Sequence, residues 1–193
     1  MADVFFSHIL AKVALTENEK VTVKSFFTPK KLGKKQYLLQ EGEVCKYFSF
    51  VTKGLLRCYN IDEKGAERMN MFALEGWWTS DMYSFFSAEK AIFYIDAIED
   101  SELLQITLED FEEMTIKVPA MDRYFRILFQ NSLYTKERRL LSSNTHTAEE
   151  KYLELALTNP EILLRVPQNL VASYLGIAPE TLSRIKKNVT LRK

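Results

Sequence analysis

The sequence predicts an α+β chain: an amino-terminal antiparallel β-roll of the double-stranded jelly-roll type, a long connecting helix, and a carboxy-terminal all-α helix-turn-helix domain. Three observations carry this. Residues 30–107 alternate apolar and polar side chains, broken at short intervals by turn sequences, the pattern of regularly spaced antiparallel strands. Residues 119–141 change to steps of three and four, the period of a helix. Residues 166–187, VPQNLVASYLGIAPETLSRIKK, hold two short helical stripes separated by one glycine, as two helices crossing through a tight turn require.

Each element has a local cause. Thr16 and Glu19 form a capping box for a short helix running to Lys24, ahead of Pro29. Val44–Thr52 is an apolar, aromatic strand, Lys53-Gly54 turns the chain, and Leu56 and Cys58 then alternate with Arg57 and Tyr59. Asp62-Glu63-Lys64-Gly65 is a second turn, after which Met69, Met71 and Ala73 alternate with Arg68, Asn70 and Phe72. Ile92–Glu99 and Leu103–Thr107, separated by Asp100-Ser101, are further strands, and Leu108–Met114 is a short helix. Pro119 opens the long helix, whose apolar stripe runs through Met121, Phe125 and Leu128. That stripe either packs on the roll of its own chain or pairs two subunits. A homodimer is the favoured expectation, because a helix-turn-helix generally needs two copies to reach half-sites one DNA turn apart. Ser132, Thr135 and the charged run Lys136–Arg139 interrupt the stripe, so a full coiled coil is not expected. Ser142-Ser143-Asn144-Thr145-His146 reads as a hinge, and Thr147 with Glu150 caps the next helix, which Asn159-Pro160 ends. The expected domains are therefore 1–118, 119–143 for the connecting helix, and 144–193.

Within the last domain, Pro167 opens the first short helix, Gly176 supplies the left-handed turn residue, and Pro179 restarts the chain as a helix, with Glu180 at its positive end. Ala172 is the small residue at the crossing, and Val171, Leu175, Ile177, Leu182 and Ile185 bury one stripe per helix. Glu180, Thr181, Ser183, Arg184 and Lys187 are left on the outer face. An arginine there can grip guanine bidentately, a glutamate can accept from cytosine N4, and threonine, serine and lysine can hold phosphates. The expected partner is double-stranded DNA; the plain alternative is an ordinary helical bundle with a solvated polar face. Charge placement favours DNA. Residues 161–193 hold six basic and two acidic side chains against 20 and 24 in residues 1–160, so a formally neutral chain carries its positive end at these helices.

Composition narrows the remaining classes. With 47% apolar and 12% aromatic residues the chain is a packed globular protein. No apolar run reaches membrane-spanning length, and MADVFFSHILAKVALTENEK lacks the basic start and cleavage site of a signal peptide, so a cytoplasmic location is expected. Cys45 and Cys58 read as buried reduced thiols inside strands, too few to hold an iron-sulfur cluster. Two unremarkable histidines, His8 and His146, supply neither a metal site nor a catalytic triad. No enzyme, no metal and no cofactor are expected.

The segments VASYLG, PETLSRIKK, VTKGLLRCY followed by DEKG, and GWW with AIFYIDAIEDSELLQI together resemble the Crp/Fnr superfamily of transcription regulators, the catabolite-activator type, over nearly the whole chain. The resemblance implies a cyclic-nucleotide-binding-like roll, a dimer helix from Pro119 to Leu141, base-reading positions at Glu180 and Arg184, and RNA polymerase as a further partner. Departures are specific. Where the resemblance leads to Gly-Glu opening a short helix, Gly76 is followed by Trp77; where it leads to a phosphate-binding arginine, the residues are Lys90, Ala91, Ile92 and Phe93. Cyclic AMP is therefore not expected to bind. Trp77, Trp78, Thr79, Ser80, Asp81 and Phe93 remain as a candidate effector pocket, or as simple filling of the roll. Pro179 stands where the family often has a base-reading arginine, and the chain ends where winged members add a hairpin. These two departures keep open a second class, a small-molecule sensor or protein-interaction module of the same fold without DNA binding.

Overall fold

The computed structural model describes residues 2–191; Arg192 and Lys193, counted above in the positive carboxy-terminal charge, lie outside the described residues. In chain order the elements are α1 (Ala2–Leu10), α2 (Glu17–Ser25), β1 (Thr28–Leu32), β2 (Tyr37–Leu39), β3 (Phe48–Lys53), β4 (Leu56–Ile61), β5 (Glu67–Ala73), β6 (Trp78–Thr79) and α3 (Met82–Ser87). They continue with β7 (Tyr94–Ala97), β8 (Ser101–Ile106), α4 (Leu108–Lys117), α5 (Pro119–Thr145), α6 (Ala148–Thr158), α7 (Pro160–Arg165), α8 (Gln168–Leu175) and α9 (Pro179–Leu191). Both capping boxes form: the Glu19 carboxylate accepts from Thr16 N–H at 2.7 Å and that of Glu150 from Thr147 N–H at 2.8 Å. Among the described residues no helix is long and apolar enough to cross a membrane.

The strands form two four-stranded sheets, ordered β1-β8-β3-β6 and β2-β7-β4-β5. Each resolved pairing is antiparallel, with Phe50 opposite Leu104 and Trp78 in one sheet and Cys58 opposite Ile95 in the other. Gly54 makes the β3–β4 turn possible. Its φ is +94°, and a Cβ there would lie 2.7 Å from the Asp100 carbonyl and 2.8 Å from Ser101 Cα, closer than any side chain tolerates.

Several boundaries differ from the sequence reading. β3 starts at Phe48, which leaves Cys45 in the preceding loop, and β7 is only Tyr94–Ala97; both cysteines are buried and free. Phe72, expected outward with Arg68 and Asn70, is buried, as is its neighbour Ala73. Alternation fails where both faces of a strand are covered.

The chain divides into two compact units: residues up to Asn60 with Met71–Gln130, and Ile61–Asn70 with the residues from Asn131 onward. The division falls inside α5 rather than at residues 142–146. These residues are mostly helical, because the Thr145 hydroxyl donates to Leu141 O and His146 N–H donates to Ser142 O, both at 2.9 Å. They continue a helix the sequence reading had ended.

In the first unit the core is aromatic. Trp78 lies 4.4 Å from Phe48, 5.2 Å from Phe50 and 5.3 Å from Phe125 between ring centroids. Met121 and Phe125, expected to face a second subunit, are fully buried in this same core, and Leu128 is half-buried against it. An apolar stripe in sequence cannot say which surface it meets; here the chain's own roll claims the first two turns of α5. In the second unit Leu155, Ile162, Val166, Val171, Leu175, Leu182 and Ile185 form a smaller core among α6 to α9.

A polar chain crosses the aromatic core. Trp78 Nε1–H donates to Tyr124 Oη at 2.8 Å, and His8 Nδ1 lies 2.7 Å from the same oxygen. Lys12 Nζ, 3.1 Å from His8 Nε2, donates to it, which puts the imidazole proton on Nδ1 and makes that nitrogen the donor to Tyr124. Burial first, and the Lys12 charge second, hold the His8 pKa down from 6.5 to about 4. The unfolded chain takes up a proton near 6.5 that the folded chain refuses until about 4, so stability present above this window is lost as pH falls through it. After allowance for screening of a half-buried ring, the loss is about 1–2 kcal/mol. An NMR titration of the His8 ring should show its midpoint near 4; a midpoint at the ordinary histidine value would contradict this placement.

Candidate nucleic-acid interface and roll cavity

The helix-turn-helix is built by small residues at one crossing. Gly176, with φ +69°, ends α8 in the left-handed conformation, and Ile177 N–H donates to Ala172 O at 3.0 Å, closing the turn. Pro167 is the residue before α8 rather than its first, and Pro179 does occupy the first position of α9. Ala172 is wholly buried, and Leu175, Leu182 and Ile185 close around it. The opposite side of α9 is open: Glu180, Ser183, Arg184 and Lys187 are exposed and Thr181 is half-buried. Positions 180, 184 and 187 follow steps of four and three, so their side chains form one stripe. Among the described residues α9 continues as helix to Leu191, where the resemblance to winged members leads to a strand hairpin.

The tip of the β4–β5 hairpin belongs to this same unit and is tied to it by two side chains. Ser173 Oγ donates to Glu67 O at 2.9 Å and accepts from Met69 N–H at 3.2 Å. Arg139 of α5 donates to three backbone carbonyls, those of Asn70, Met69 (3.3 Å) and Tyr174 (3.2 Å), and its guanidinium lies 4.0 Å from the centre of the Tyr174 ring. A planar fork suits this arrangement as an ammonium would not. In the sequence Arg139 is one charge in a run of four, with nothing to mark it out.

Inside the roll a cavity of about 440 Å3 is lined by Ser49, Thr79, Ser80 and Gln105 with Cys45, Leu39 and Ile95. Of the six residues singled out as an effector pocket, only Thr79 and Ser80 line it. Trp78 is core, Trp77 and Phe93 pack half-buried against that core, and Asp81 is buried elsewhere. Gln105 Nε2 donates to Ser49 Oγ at 3.1 Å, and Ser80 Oγ lies 3.2 Å from Cys45 Sγ. Sequence reasoning missed Ser49 and Gln105, although a polar residue at a core-facing position of a strand was a usable signal.

The short helix at this cavity is α3, so the residues opening it are Ser80-Asp81, not Gly76-Trp77. An acid does open this helix, as Asp81, where the sequence reading had Gly76-Trp77. Each of its carboxylate oxygens already holds a backbone N–H: one accepts from Ser84 N–H at 3.1 Å and the other from Ile92 N–H at 3.0 Å. Ala91 is buried where an arginine would be needed, with its N–H on Glu43 O at 2.8 Å. The only charged lining residues, Glu43 and Lys46, are exposed and opposite in sign. The buried wall does not fit a cyclic phosphate, because the one cation of the lining, Lys46, is an exposed flexible ammonium beside the opposite charge of Glu43 rather than a buried bidentate fork.

A two-sheet roll running through a long helix into a helix-turn-helix defines a class of proteins, and comparison with known proteins agrees. Residues 29–117 match the cyclic nucleotide-binding domain family. The regulatory protein HlyX of Actinobacillus pleuropneumoniae is 23% identical across 93% of this chain and 79% of its own length. The fumarate and nitrate reduction regulatory protein of Escherichia coli K12 is 22% identical across 95% and 77%. Among solved structures, FixK2 from Bradyrhizobium japonicum aligns with a TM-score of 0.70 at 20% identity, covering 86% of this chain and 85% of FixK2. The regulator CLP of Xanthomonas campestris aligns with 0.71 at 12% identity, covering 92% and 93%. Over nearly its whole length the chain is similar to regulators of the Crp/Fnr type, and residues 29–117 carry the family match.

Replacing Arg139 by alanine removes charge-assisted bonds to carbonyls that are then left short of donors. Urea unfolding of Arg139→Ala should show a loss of about 1.5–3 kcal/mol, and Arg139→Lys should recover only a minor part of it. Full recovery by lysine would show that charge alone, not the fork, is what the hairpin tip requires.

Proposed function

We propose that this chain is a DNA-binding transcription regulator that acts as a homodimer, with α9 as its recognition helix. The observation that carries this is the exposed stripe Glu180, Ser183, Arg184 and Lys187 on a helix whose other side is locked into the domain core. Its chemistry suits a major groove: a guanidinium for a guanine edge, a carboxylate for a cytosine amine, and a hydroxyl and an ammonium for phosphates. The relatives named above are regulatory proteins, which supports the same reading. By the same resemblance, the output is exerted on RNA polymerase at promoters. The competing reading, a sensor or interaction module without DNA binding, gains no observation of its own, because Pro179 starts α9 without disturbing the exposed stripe.

The dimer needs a surface other than Met121 and Phe125. Further along α5, Leu133, Tyr134, Leu140 and Leu141 are 55%, 57%, 67% and 63% exposed. Leu133 and Leu140, like Tyr134 and Leu141, are two turns apart and share a face. Four large apolar side chains exposed on one helix are the signature of an interaction surface. A second copy of the same helix is the partner that would set the separation of two recognition helices.

Arg184→Ala should cost about 1–3 kcal/mol on a duplex selected from a random pool and relax one base position, whereas Lys187→Ala should weaken binding to all sequences alike and reduce the salt slope by about one. Fluorescence anisotropy over a salt series measures both, and unchanged site preference in Arg184→Ala would rule out its base-reading role. Light scattering on the Leu133→Asp, Leu140→Asp double variant should report a monomer where the parent is a dimer. A dimer of unchanged stability would move the subunit contact elsewhere.

A further inference from the structure

The pivot of the helix-turn-helix is held from outside by one side chain. Gly176 ends α8 and α9 begins at Pro179, so the direction of α9 is set by how the last turn of α8 is held. The carbonyls of such a turn have no N–H to meet within their own helix. Tyr174 O is one of them. Arg139 of α5 donates to it at 3.2 Å, with its guanidinium 4.0 Å from the centre of the Tyr174 ring. A cation at the carboxy end of a helix also meets the negative end of its dipole. The same guanidinium donates to Met69 O and Asn70 O, while Ser173 Oγ donates to Glu67 O and accepts from Met69 N–H. Ser173 and Tyr174, neighbours in that last turn, are therefore both tied down, one by the hairpin segment 67–69 and the other by Arg139. Every residue of this clamp belongs to the second unit, and none lies on the polar stripe of α9.

We propose that Arg139 is a positioning residue for DNA recognition: by holding the last turn of α8 to the hairpin segment 67–70, it fixes the angle at which α9 presents Glu180, Arg184 and Lys187. This role rests on the regulator reading above and adds to it what aligns the recognition helix. Base contacts and phosphate contacts differ in what they demand. A bidentate base contact needs its side chain held to within about 0.5 Å, whereas a charged group on a flexible stem reaches a phosphate from many starting points. Loss of the clamp therefore costs sequence preference before it costs general affinity. A role in stability alone would leave the preference of the folded protein as it was.

Anisotropy of the full chain with a duplex selected from a random pool, and with a scrambled duplex of the same length, tests this at a temperature where circular dichroism shows each variant folded. Arg139→Ala should bind the selected duplex about tenfold more weakly and the scrambled one within about twofold of the parent, and Arg139→Lys should recover only part of the difference. Ser173→Ala, which removes the other tie on the same turn, should show the same pattern with a smaller loss, and it decides the matter where Arg139→Ala does not fold. Hydrogen exchange without DNA reads the pivot itself. The Ile177 N–H, which donates to Ala172 O at 3.0 Å, should gain more in rate on either alanine substitution than the Val171 N–H, bonded to Pro167 O at 3.1 Å at the start of α8. A loss of global stability alone would speed both alike. Equal losses on the two duplexes, an unchanged preference in the folded variants, full recovery by lysine, or equal gains in rate at Ile177 and Val171 would each overturn the proposal. A parent that binds neither duplex, with Ile177 exchange still rising selectively, would uphold the hold of Arg139 on the turn and sink the regulator assignment.

Discussion

The carboxy-terminal domain depends on one close crossing. Two short helices can pack tightly enough to share a core only if the residue between them is small and the turn joining them adopts a positive φ; Ala172 and Gly176 meet those demands. Once that crossing is made, Leu175, Leu182 and Ile185 have no alternative to facing inward, and helical geometry sends Glu180, Arg184 and Lys187 the other way. The proposed recognition surface is thus a consequence of packing. None of its side chains need contribute to stability, which leaves their chemistry free to serve recognition.

The roll obeys a different constraint. Its aromatic core, centred on Trp78, is anchored by hydrogen bonds to the buried Tyr124 of α5, and the first turns of α5 are spent on it. Filling one part of the roll with rings leaves the part beside β3, β6 and β8 lined by Ser49, Thr79 and Gln105. Asp81, which could have faced a ligand, instead holds the start of α3 to the backbone of Ile92. The buried wall of this roll is furnished with neutral groups, with Glu43 and Lys46 only at its exposed side, so the fold by itself does not assign a ligand.

What could be read from the sequence was what depends on neighbours along the chain. The capping boxes at Thr16 and Thr147, the Gly54 turn and the helix-turn-helix each need only a few adjacent residues, and each was recovered. What was misread depended on distant partners. Ser142 to His146 are poor helix formers taken singly, yet Ser142 is buried beside the Glu154 carboxylate and the helix runs on. Met121 and Phe125 could not reveal which surface they met. Gln105 and Ser49, 56 residues apart, become a pair only when β8 lies beside β3, and the role of Arg139 requires carbonyls from 35 and about 70 residues away. Asp81, named only as a pocket residue, was not read as the acid opening α3 because the helix start was sought four residues too early, at Gly76-Trp77.

The central claim, that two copies of α9 present their polar stripes to one duplex, is tested most directly by hydroxyl-radical footprinting on a site selected from random DNA. The expected result is a pair of protected segments on one face of the duplex, their centres about 34 Å apart. A single protected segment, or protection that follows no fixed spacing, would contradict it.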